Sequence, residues 1–173
     1  QNEITRAPYA TTLMVVFSAI FATVSTLIGG ALCDRTGKRK LFICWGYVIW
    51  GFTIMMFALV PMKPSADKVL PMVILVVVMD CVIGSISNDA SFNTWITDIS
   101  NTANRARVDT VLAVMPLVAL AVVFGGFDSL TNESATTSDW KKFFLILGII
   151  PTVGGILGLF IMKDKEGITA DKN

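Results

Sequence analysis

The chain has 173 residues, 54% of them hydrophobic and only 16% charged, with a net charge of +1 and no histidine. A soluble domain carries about 25% charged residues, so a fully water-facing surface is not provided for, and a mean hydropathy of +0.68 agrees. Near-neutral charge without a basic stripe gives no support to a nucleic-acid partner, and the lack of histidine removes the commonest general base and zinc ligand, so neither an enzyme nor a metal or cofactor site is expected.

Charges gather in short clusters and leave five apolar runs, at about 9–33, 41–62, 69–96, 108–127 and 143–162. A spanning helix needs ~20 apolar residues, and in lipid a lone segment satisfies its own backbone only as a helix. The expectation is an all-α membrane domain of five transmembrane helices over 1–173, in contact with membrane lipids. The chain opens on Gln1, and the first run is too long and too poorly flanked for a signal peptide; a fragment of a longer protein is expected.

The first run ends in the charged turn 34–40, and a short link with Lys63 and Pro64 follows the second. The third contains Asp80 and Asp89 and is closed by a polar link at 97–107. A loop rich in Ser, Thr and Asn at 128–139 precedes the fifth, and a charged tail at 163–173 follows it. Alternate ends collect nine and five Lys or Arg residues. The positive-inside rule puts the nine in the cytoplasm and the amino terminus outside. Small residues mark packing faces: Ser25, Gly29 and Gly30 in the first run, Gly154 and Gly158 after Pro151 in the fifth. Cys33, Cys44 and Cys81 have no CxxC spacing and read as buried small residues.

The most specific segment is Gly30-Ala31-Leu32-Cys33-Asp34-Arg35-Thr36-Gly37-Lys38-Arg39-Lys40. Gly30 permits close packing at a helix end, and Gly37 permits a reversal through positive φ. A merely topogenic basic loop needs neither glycine nor the aspartate. The segment resembles the GxLaDRxGRR signature between the second and third helices of the major facilitator superfamily. Gly30, Leu32, Asp34, Arg35, Gly37, Lys38 and Arg39 match it, Lys38 conservatively. The resemblance implies a gate in which Asp34 engages the opposite half of a transporter, with Arg35 and Arg39 in support. It makes the five runs helices two to six of an amino-terminal six-helix half; helices eight to twelve are the alternative, because the turn recurs weakly in the second half. Partners are then the missing helices of the same transporter.

Ionisable groups at membrane depth usually face a cavity or a partner. Asp80 and Asp89 are nine residues apart, which in an α-helix means opposite faces and about 13 Å of axial separation. Ser85, Asn88, Asp89, Phe92 and Asn93 follow i, i+3, i+4 spacing and mix a carboxylate, amides, a hydroxyl and a ring, as sugar and cation sites do. Asp80 shares its face with Gly84, Ser87 and Ser91, a packing pattern. Residues 89–107 also resemble the glycoside–pentoside–hexuronide cation symporters, through Asp89, Phe92 and Arg105 or Arg107. The resemblance implies that Asp89 helps bind a sugar near a coupling cation. That group's acidic pair in helix two has no counterpart, since 22–26 offers only Thr23, Ser25 and Thr26, and Val114 and Met115 stand where its helix-five arginine would be.

The function expected is a multi-pass secondary transporter of the cytoplasmic membrane, moving a small-molecule solute, a sugar or glycoside by the second resemblance, with a proton or sodium. The alternatives are a transporter for drugs, peptides or organic acids, or a non-transporting sensor or interaction module.

Overall fold

A computed structural model describes residues 2–60, 66–132 and 134–162. The link at 61–65 and the tail at 163–173 lie outside the described residues. Helix α1 covers Asn2–Thr36 and α2 Arg39–Met56, prolonged by one 3-10 turn, Phe57–Leu59. Helix α3, Ala66–Gly84, runs without a break through a π-helical segment, Ser85–Phe92, into α4, Asn93–Ile99. Then come α5 (Arg105–Gly126), the single turn α6 (Asp128–Thr131) and α7 (Thr137–Ile161), with no strand among the described residues.

Among the described residues, five stretches are long and apolar enough to cross a membrane: Val15–Thr36, Arg39–Leu59, Pro71–Ile99, Arg105–Gly126 and Thr137–Ile161. The all-α, five-span architecture is therefore as expected. Leu27 and Phe124 are each 71% exposed and Phe160 is 81% exposed, a surface that suits lipid and not water.

The helices extend beyond the apolar runs because local chemistry, not hydropathy, sets their ends. Helix α7 begins at Thr137, inside the expected loop, because Thr136 and Asp139 form a reciprocal capping box: the Thr136 side chain accepts from Asp139 N and the Asp139 side chain accepts from Thr136 N. Lys141 and Lys142 thus sit in the first turns of the helix.

Helix α2 is central. It packs along α7 on one side and against α3 and the π-segment on the other, while α1 lies on α3 and the π-segment. Lipid supplies no hydrophobic drive between helices, so close backbone approach through small residues does the joining. A Cβ on Gly155 would stand 2.5 Å from Cys44 O, and one on Gly148 2.5 Å from Gly51 O. The α7 face against α2 is therefore Gly148, Thr152 and Gly155, with Gly158 touching the Cys44 side chain. Gly154, expected on the packing face, has open space around it: it stands one residue, about 100° of helix, from Gly155. Gly29 abuts Ile86 and Gly46 abuts Ser87. Cys33 and Cys44 are buried and Cys81 is half-buried, and none of the three is in a disulfide among the described residues.

Among the described residues, helix α5 has no buried residue and packs chiefly against α6. Between it, α2 and α7 lies an apolar cavity of about 670 Å³, bordered by Tyr47, Phe92, Val123, Pro151 and Gly155 among others.

Candidate functional site

The turn between α1 and α2 is built as expected around Gly37, whose φ is +63° and whose N–H donates to Cys33 O at 3.0 Å. The reversal brings Arg39, at the start of α2, back onto Asp34, with Nη2 donating to Oδ1 at 2.9 Å. The other guanidinium nitrogen, Nη1, is ion-paired with Asp98 Oδ2 near the end of α4. Arg39 is only 14% exposed, while Asp34 is 63% exposed. One guanidinium thus ties the α1–α2 turn to the far end of the third span, an arrangement suited to its planar fork of donors.

The remaining expected gate residues are distributed differently. Gly30 lies beside Ala90 of the π-segment. Arg105 stands apart from Asp34, donating to Thr97 Oγ1 at 3.3 Å and pairing with Asp109 at 3.6 Å. Arg35, Lys38 and Arg107 are exposed. Asp98 lies in what the sequence presents as a polar link; only its one-turn spacing from Thr94 on a continuing helix distinguishes it.

The second region is the π-segment. Its bonding runs five residues back: Asn93 N–H donates to Asn88 O and Ser91 Oγ donates to Ile86 O at 2.8 Å. Such segments are rare and occur often at functional sites. A π-helix takes more residues per turn than an α-helix, so each residue rotates the face less. This corrects the reading of Asp80 and Asp89. They are not on opposite faces; both border one cavity of about 180 Å³, together with Trp50, Ser85 and Asn88.

The same local change splits the expected polar stripe. Ser85, Asn88 and Asp89 border that cavity, while Phe92 borders the larger apolar one. Asn93 is exposed and folds back to donate to Asp89 O at 3.4 Å. Ser85 is buried and Asp89 exposed.

Helix α2 supplies partners from Tyr47, Trp50 and Thr53, which lie three residues apart on one face. Tyr47 Oη donates to Asn88 Oδ1 at 2.7 Å, and Asn88 Nδ2 donates to Asp89 Oδ1 at 3.2 Å. Trp50 Nε1 and Thr53 Oγ1 donate to Asp80 Oδ1 at 3.0 and 3.3 Å. The Tyr47 ring meets Trp50 and Phe92 edge-on, with centroids 5.6 and 6.2 Å apart. Tyr47 and Trp50 went unnoticed in the sequence because aromatic residues in an apolar run read as lipid- or core-facing; their i, i+3 spacing was the available signal. Among the described residues no group of three or more His, Cys, Asp or Glu converges to hold a metal ion.

The turn, the charge staple and the polar π-segment all belong to a membrane domain whose whole length can be compared with known families. The profile described as Major Facilitator Superfamily matches residues 3–172. The chain belongs to that superfamily. Comparison with curated proteins and with solved structures gave no match. Major facilitators are multi-pass secondary transporters of small solutes, not enzymes, and the chain is to be read as such a protein. The match is to the superfamily as a whole and does not support the narrower likeness to the glycoside–pentoside–hexuronide symporters.

Proposed function

We propose that this major facilitator chain carries part of the solute path of a cation-coupled transporter of the cytoplasmic membrane that works by alternating access. In this reading the five spans are helices two to six of a six-helix half. The observation that carries it is the Tyr47–Asn88–Asp89 chain of hydrogen bonds, inside the span Pro71–Ile99, with Asp89 on an uncovered side of the helix. A carboxylate at that depth is costly against lipid and tolerable against a water-filled path. Amide, carboxylate and hydroxyl groups beside the Tyr47, Trp50 and Phe92 rings suit a small polar solute, and sugars or glycosides fit that mixture. The Arg39 staple supports the gating role of the turn, with Asp34 left exposed to meet the other half of the transporter.

The test is gradient-driven uptake in cells expressing the complete transporter, with a panel of sugars, organic acids and peptides. Asp89→Asn is expected to abolish accumulation while leaving membrane insertion intact. Undiminished accumulation by that variant would sink the proposal.

A further inference from the structure

One groove serves neither the polar chain of Tyr47, Asn88 and Asp89 nor the joining of helices. It lies between α2 and the third span, is apolar, and has a volume of about 330 Å³. Leu41, Phe42, Trp45 and Ile49 form one wall, and Ile83 and Ile86 form the other. Gly46 abuts Ser87, which draws the two helices together and gives the groove its floor.

Length narrows the choice of occupant. From Lys38, the cap of α2, to Ile49 is eleven residues, about 16 Å of helix. That is about half of the ~30 Å hydrocarbon core, so the groove is one leaflet deep. A transmembrane helix needs a seat through both leaflets, whereas a lipid chain needs only one.

The polar end of the groove matches a lipid in charge. Lys38, Leu41, Phe42, Trp45 and Ile49 recur at helical spacing and share one face of α2. Arg39 is taken up by Asp34 and Asp98. Lys38 is exposed and has no ion pair among the described residues, and no acidic residue stands in the first turn of α2. An ammonium at a bilayer surface attracts anionic headgroups.

Trp45 is a separate observation. It is 55% exposed, and its indole N–H has no acceptor among the described residues, whereas Trp50 donates to Asp80. A donor left unpaired in hydrocarbon is costly. Helix side chains lean towards the helix start, which carries this N–H towards the layer of lipid ester carbonyls, where tryptophan is enriched in membrane proteins.

We propose that the groove is a site for one anionic phospholipid of the leaflet on the side of the α1–α2 turn. The phosphate meets Lys38, an ester carbonyl accepts from Trp45 Nε1, and one acyl chain lies between α2 and the third span. The site does not depend on the transport reading above.

The experiment is tryptophan fluorescence of the intact protein in phosphatidylcholine nanodiscs containing increasing fractions of lipid brominated on its acyl chains. The emission that Trp45→Phe removes reports the groove. Brominated phosphatidylglycerol is expected to quench it at about a fivefold lower mole fraction than brominated phosphatidylcholine, the preference that one lysine at the surface supplies. Lys38→Gln should abolish the preference, Lys38→Arg should keep it, and Lys142→Gln, at the opposite end of the spans, should leave it unchanged. Ile83→Phe, which narrows the groove, should also reduce it. Circular dichroism checks that each variant keeps its helices. Equal quenching by the two lipids overturns the proposal, because Trp45 then meets only bulk lipid. A preference that survives Lys38→Gln overturns it too. A preference lost in Lys38→Gln but untouched by Ile83→Phe shows surface attraction without a seat for the chain, and overturns the groove as the site.

Discussion

Arg39 stands between two carboxylates, and its removal would leave Asp34 and Asp98 facing each other without their shared cation. Asp98 is 24% exposed, so this pair is desolvated enough to matter and wet enough to fall short of a fully buried one. Arg39→Ala is expected to cost about 2 kcal/mol, read from thermal unfolding in nanodiscs. In a double-mutant cycle with Asp98→Ala the two changes should couple by about 1 kcal/mol or more. Strict additivity would show that the ion pair contributes nothing. Arg35→Ala, at an exposed neighbour, should change stability by less than about 0.5 kcal/mol. At Gly37 the issue is backbone conformation: φ is +63°, and Gly37→Ala should cost about 1 kcal/mol by the same assay. Most of the turn was legible in the sequence, because a glycine at a reversal and a basic cluster are local signals. Asp98 was not, since its partner lies 59 residues away and pairing over such a distance leaves no local pattern.

Among the elements, α2 and α7 approach through Gly51, Gly148 and Gly155 rather than through bulky side chains. Gly155→Leu should separate the two helices, with an overpacking cost of about 1–3 kcal/mol. Gly154→Leu, directed into open space, should be nearly neutral. Equal effects from the two would show that the face has been assigned wrongly. The apolar runs announced the helices because length and hydropathy are sufficient evidence for a membrane span. They could not announce which glycine faces a neighbour, since adjacent glycines are equivalent until a partner helix arrives. The π-segment was hidden for a related reason: residues 85–92 have no composition that demands five-residue bonding, and an α-helical count across them misplaces Asp89 relative to Asp80. Asn88 and Asp89 were nonetheless recognisable as unusual, because polar groups inside an apolar run stand out whatever the local pitch.

For the whole molecule, the medium that faces Asp89 decides whether this helix lines a solute path. The five helices leave two kinds of uncovered surface: large apolar side chains such as Leu75, 58% exposed, and the patch around Asp89. If the patch lines an aqueous path, the two surfaces see different solvents although both are uncovered by protein. A charged membrane-impermeant thiol reagent separates them, since it needs water and an ionised thiolate to react. In a background with Cys33, Cys44 and Cys81 changed to alanine, Asp89→Cys should react readily and Leu75→Cys should not. Pre-incubation with the transported solute should slow the first reaction. The tethered Val76→Cys, fully buried in the wild type, sets the baseline for an inaccessible position. Asp89→Cys reacting no faster than that baseline would place Asp89 against lipid or protein, and would take away the physical ground for a solute path along this helix. A fast reaction confined to one side of the membrane would also report which end of the path is open.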